Sequence, residues 1–152
     1  MRKFYISGIL FLLGASLIGC TQCNNKEITT SAFVETFLSD YVYTMSDAQG
    51  SKILDGNLNL KVYIEPGFSG VYSKITIYRE SFAGLSTMTG SCTGTLNEKN
   101  KSGFMNMNPK ISDNNVFINF KISGDSLTGT WTYSTMTGSR DNGIFTAVKI
   151  KR

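Results

Sequence analysis

Asn57-Leu58-Asn59-Leu60-Lys61-Val62-Tyr63-Ile64 alternates between the two halves of a pattern without interruption. Successive side chains of an extended chain point to opposite faces. Leu58, Leu60, Val62 and Ile64 therefore share one side, and Asn57, Asn59, Lys61 and Tyr63 the other. A helix would scatter the same apolar residues around its axis, so this stretch reads as a half-buried β-strand. Glu65-Pro66-Gly67 turns the chain. Val71, Ser73, Ile75 and Ile77 then alternate with Tyr72, Lys74, Thr76 and Tyr78 on the way back.

The same period continues on both sides of this hairpin. Upstream, Phe33, Phe37, Tyr41 and Met45 recur at helical spacing, while Tyr41-Val42-Tyr43-Thr44-Met45 favours a strand. The combination predicts a short helical or irregular segment near Ser31–Leu38 and a first strand near Asp40–Ser46. Downstream, residues near Ser86–Leu96 are rich in Thr, Ser and Gly and give a weaker strand signal, and Phe104 to Asn108 is short and strand-like. Val116, Ile118, Phe120 and Ile122 form a clean face. Leu127, Gly129, Trp131 and Tyr133 share the next, and in Gly143 to Lys151 the residues Ile144, Val148 and Ile150 face one way.

Turn-forming residues separate the strands at Asp47 to Gly50, Asp55-Gly56, Lys99 to Gly103, Ser112 to Asn115, Gly124 to Ser126 and Arg140 to Gly143. The expected class is all-β, an antiparallel meander of about eight strands. Such a sheet hides its edges most simply by becoming a small closed or nearly closed barrel. Ser86-Thr87-Met88-Thr89-Gly90-Ser91 recurs as Ser134 to Ser139. One hexamer in a Ser/Thr/Gly-rich chain supports either a duplicated hairpin or coincidence.

The first residues follow another logic. Arg2 and Lys3 precede an uncharged run from Phe4 to Ile18, broken by Gly8 and Gly14 and short of the ~20 residues a spanning helix needs. A basic start, a short apolar region and a small residue before the cut are the marks of a secretory signal peptide. Leu17-Ile18-Gly19-Cys20 closes the run and resembles the lipobox of bacterial lipoproteins. The resemblance implies cleavage between Gly19 and Cys20, a diacylglyceryl group on the Cys20 sulfur and an acylated new amino terminus. Each buried methylene contributes about 0.8 kcal/mol, so two or three acyl chains hold a protein firmly to a membrane that it does not span. Thr21, where the family's inner-membrane retention signal has Asp, implies the outer membrane.

The expected organisation is a signal peptide over 1–19, a lipidated tether over 20–30 and a single β-rich domain over 31–152. Thr21 to Thr30 is polar and aperiodic, with a root-mean-square reach of roughly 18 Å. Without Arg2 and Lys3, thirteen basic residues face eleven acidic ones, a net charge of only +2. No basic cluster is interleaved with aromatics, so nucleic acid is not an expected partner. Lipidation of Cys20 leaves Cys23 and Cys92, which either pair in an oxidising envelope or stay free, Cys92 packed as a small apolar residue. A thioether on Cys20 would also abolish the redox or zinc use that Cys20-x-x-Cys23 suggests.

There is no histidine, which removes Ser-His and Cys-His nucleophilic pairs and histidine metal sites. Asp47, Asp55, Glu65, Glu98, Asp113, Asp125 and Asp141 fall in expected turns, where carboxylates serve the backbone, and no spacing resembles a calcium loop. No catalytic residue, metal or cofactor is indicated. Gly129-Thr130-Trp131 followed by Gly143-Ile144-Phe145-Thr146-Ala147-Val148-Lys149 is similar to the closing strands of avidin-like and lipocalin-like barrels. That resemblance implies a small apolar ligand lined by Trp131 and Tyr133, whereas the residue type alone is equally at home in a core. In size, signal and lack of enzymatic motifs the chain also looks like small outer-membrane lipoproteins of spirochaetes. That implies an interaction or antigenic role with a protein or host partner.

Overall fold

In the computed structural model, which describes residues 31–85, 87–111 and 113–151, the alternating stretch lies inside the longest strand of a closed barrel. A six-residue helix α1 (Ala32–Phe37) is followed by β1 (Asp40–Asp47), β2 (Lys52–Ile64), β3 (Gly67–Ile77) and β4 (Thr89–Asn97). Then come β5 (Ser102–Asn106), β6 (Asn115–Ser123), β7 (Ser126–Thr135) and β8 (Gly138–Lys149). Each strand pairs antiparallel with the next, and β8 returns to β1 through pairs such as Val42 with Val148, so no edge is left open. The expected all-β meander is thus a fully closed eight-stranded barrel. The signal peptide, Cys20, the tether and Cys23 lie outside the described residues.

The inner face is a packed core rather than a lumen. Trp131, Tyr43, Tyr72, Phe145, Met45, Leu58 and Met105 are all at most 1% exposed. Eight strands enclose a space just wide enough for side chains, and large residues fit only if small ones stand opposite. Here the small residue is glycine. Directly across the ladders stand Tyr43 and Gly56, Phe68 and Gly94, Tyr72 and Gly90, Phe120 and Gly103, and Trp131 and Gly143. At each of these glycines a Cβ would run into the facing ring. The rings lie flat over bare backbone, which lets five bulky aromatics share one narrow interior.

This pairing corrects two of the expected turns. Asp55-Gly56 and Arg140 to Gly143 are strand interior; the β1–β2 reversal lies at Ala48–Gly50, within the expected Asp47 to Gly50 turn, and the β7–β8 reversal at Met136–Thr137. Glycine serves there as space for a ring, not as a hinge. The two copies of the repeated hexamer also differ in setting. Gly90 sits in β4 beneath Tyr72, whereas Gly138 closes the β7–β8 turn at φ +107°.

Two irregularities re-aim the hairpin. Between Leu60 and Val62 the register skips Lys61, so Leu58 and Leu60 point inward while Val62 and Ile64 point out, 48% and 69% exposed. Between Asp55 and Gly56 the partner changes from Thr76 to Lys74, skipping Ile75. The skip at Lys61 sets Tyr72 and Lys74 opposite the inward Leu58 and Gly56, so both face the interior, and Val71 and Ile75 face solvent. On β8 the shared face of Ile144 and Val148 is also the outer one, with Phe145 and Ala147 inside.

Both ends are closed by side chains. At one, Ser31 caps α1 by accepting from the Val34 N–H at 3.3 Å, and Phe37 drops between Phe68 and Phe120. Its ring centroid lies 5.0 and 6.0 Å from theirs. At the other, the β3–β4 connection folds over the rim as a strap. Phe82 meets Trp131 edge-on at 5.3 Å, Leu85 is fully buried, and Arg79 is ion-paired with Asp141.

Candidate functional site

The residues singled out by sequence occupy the core. Trp131 points inward from β7, is fully buried, and donates its indole N–H to the Ser46 carbonyl at 2.7 Å. Tyr133 lies two residues on, 9% exposed, and Phe82 covers both rings at centroid distances of 5.3 and 6.1 Å. They are neighbours, as the shared face required, but they are walled in by the strap. Cys92 faces inward from β4 with a free, fully buried thiol, which burial pushes up to about 12. At ordinary pH it packs as a small apolar group.

The interior polar groups are phenols. Tyr41 donates to the Phe37 carbonyl at 2.8 Å, tying β1 to α1, and burial raises it to about 12, helped by the charge of Asp125. Tyr72 donates to Asn108 Oδ1 at 2.7 Å, and burial raises it as well. The Tyr43 hydroxyl has no partner, and burial raises its pKa most strongly of the three. None of these phenols ionises near neutrality.

The carboxylates do not converge. Asp47 accepts from the N–H groups of Gln49 and Ser51, Glu98 from the Ser31 and Tyr63 hydroxyls, and Asp113 from the Met136 N–H. Asp125 faces Lys151 at 3.9 Å. Asp55 and Asp141, expected in turns, stand within β2 and β8 and hold neighbouring chain segments in place. Burial alone would push Asp55 up. Hydrogen bonds from Thr44, Lys52 and Tyr78 outweigh it and hold the carboxyl below its ordinary value. Among the described residues no three Cys, Asp or Glu side chains are grouped to hold a metal ion.

An opening does exist, in a place the sequence did not mark. At the strap end a cavity of about 400 Å³ is lined by Leu54, Ile77, Phe82, Ala83 and Leu85, with Lys74 and Glu80 as its charged members. Lys74 enters this wall because the irregularity at Lys61 shifts the register and sets it opposite the inward Gly56. Its ammonium donates to the Leu85 carbonyl at 2.5 Å, and burial lowers its pKa from the ordinary lysine value. In the regular alternation Lys74 sits opposite the Val71–Ile75 face and reads as a solvated residue. Only the bulge reveals it.

No family model matches the chain, and no curated protein matches it. Among solved structures it is similar to a redesigned β-barrel, at 13% identity and a TM-score of 0.48, over 77% of this chain and 94% of the other. It is also similar to fatty-acid-binding protein 1 of Echinococcus granulosus, at 11% identity and a TM-score of 0.41, over 77% of this chain and 99% of the other. The likeness is one of barrel architecture, which the strand pairing already establishes.

Proposed function

We propose that this chain is a lipid-anchored bacterial outer-membrane protein whose barrel works by binding partners rather than by catalysis, from its outer surface and rim. The observation that carries the second half is the filled interior. Five interior rings lie against facing glycines, the other large inward side chains are buried around them, and each of the carboxylates above that has a described partner is spent on the fold. Leu17-Ile18-Gly19-Cys20 supports the anchor, with acyl chains on Cys20 holding the barrel at the membrane surface through a ten-residue tether. A surface or host-facing interaction role fits such a display.

The anchor is tested by metabolic labelling with palmitate in the natural chain and in Cys20→Ser. Label in the natural chain alone is expected, and equal label in both ends the anchoring half. Protease shaving of intact against lysed cells then tells a surface-exposed barrel from one facing the periplasm. A second reading, a module for a small apolar ligand, is favoured by one observation: the mostly apolar cavity under the strap, of a size that suits a small molecule.

A further inference from the structure

We infer that the cavity under the β3–β4 strap is a site for a small amphiphile with a single anionic head group, held by Lys74 and with its tail against Leu54, Ile77, Phe82 and Leu85. This deepens the ligand reading above and rests on it. Three observations converge. The accessible walls are largely apolar, with Ile77 41% exposed, Phe82 half-buried and Ala83 exposed above the buried Leu54 and Leu85, so a hydrocarbon tail gains by displacing water there. An inward-facing cation, Lys74, stands in that wall. It also lacks an anionic partner: no described carboxylate lies within ion-pair distance of Lys74, while Lys52 and Arg79 near the same rim have theirs in Asp55 and Asp141.

The geometry of the ammonium sharpens the point. It carries three N–H donors, and the structure gives one acceptor, the Leu85 carbonyl. A half-buried ammonium gains more from a carboxylate than an exposed one, because the charge-assisted bond forms in a drier place. Size sets the tail. At ~30 Å³ per water-sized group, 400 Å³ holds about 13 heavy atoms. That is the scale of a medium-chain monocarboxylate, well below a long-chain lipid. Glu80, on the exposed side of the cavity, sets the polarity of the mouth and disfavours a second negative charge there.

The test uses octanoate, octanol and octylammonium, each titrated into the full chain by isothermal calorimetry. Saturable one-to-one binding of octanoate, at least tenfold tighter than octanol and with no binding of octylammonium, is expected. Lys74→Met keeps the length and packing of the side chain and should bring octanoate down to the octanol value while leaving octanol unchanged. Ala83→Trp, at an exposed lining position, should fill the cavity and weaken both without depending on the core. Octanoate and octanol binding equally in the natural chain would overturn the anionic head while leaving the apolar-ligand reading intact. No binding of either would overturn both. Octanoate binding unchanged by Ala83→Trp would place the ligand elsewhere and refute the site.

Discussion

Gly90→Ala should change sign as a mutation according to what stands at position 72. A Cβ at Gly90 would lie 2.5, 2.6 and 2.7 Å from the Oη, Cζ and Cε1 atoms of Tyr72, and its three nearest neighbours all belong to that one side chain. The ring has nowhere to go, being 1% exposed and fixed at its tip by Asn108 at 2.7 Å. Overpacking of this kind costs about 1–3 kcal/mol. In Tyr72→Leu the obstacle is gone, and alanine in a strand is favoured over glycine by roughly 0.5–1 kcal/mol. The same methyl group should then stabilise.

Tyr72→Leu alone should cost about 2–4 kcal/mol through the lost ring volume and the orphaned Asn108 amide oxygen. The cycle is therefore non-additive by about 1.5–4 kcal/mol, well beyond the usual scatter between independent sites. Urea unfolding followed by circular dichroism, on the four chains with a common slope, measures it directly. Gly94→Ala is the control on the same strand. Its Cβ would strike the Phe104 carbonyl oxygen as well as the Phe68 ring, so Phe68→Leu should not reverse its sign. An equal cost of Gly90→Ala in both backgrounds would refute the claim that interior glycines exist to receive rings.

Two further outcomes follow from the buried groups. Cys92 should resist maleimide at pH 8 in the folded chain and react fully in urea, since its thiol is enclosed and raised to about 12; reaction at the rate of a free peptide thiol would show that β4 opens. Stability should begin to fall above about pH 9, where the unfolded chain releases the Cys92 proton that the fold retains, and fall further above about pH 10. Unfolded tyrosines release protons there that Tyr41, Tyr43 and Tyr72 retain while folded, so the unfolded state gains with rising pH, and a urea midpoint unchanged between pH 8 and 11 would contradict this.

Strands β6 and β7 were legible almost residue by residue, because Val116, Ile118, Phe120, Leu127, Trp131 and Tyr133 keep strict period two and do face inward. The closed barrel followed from strand number and the cost of open edges. The misreadings share a cause. Gly56 and Gly143 look like punctuation in one dimension, yet each is hemmed in by a backbone carbonyl and a ring from neighbouring strands, Ser73 and Tyr43 for one and Ser46 and Trp131 for the other, and that information is not local. Likewise, skipping Lys61 and Ile75 in the ladder exchanges inside for outside beyond each point, and no composition signal announces a bulge within an otherwise perfect alternation. Lys74 is hidden by the first of these, which sets it opposite the inward Gly56. Trp131 and Tyr133 share a strand face that resembles a ligand-lining one, but large rings suit a plug as well as a ligand wall, and Phe82, which covers both, comes from a loop without periodicity.

The seam between β1 and β8 joins residues about a hundred positions apart, Val42 against Val148 among them. Local contacts reward a growing chain early, whereas a closure over that span waits for β8 and carries the entropy of a long loop. Until then β1 has an unsatisfied side, and the eight-stranded ring cannot exist in part. An unfinished chain thus stays pliable until its final strand is released, after which one late event locks the ring at once. Removing β8 should therefore cost this protein its entire fold rather than one-eighth of it.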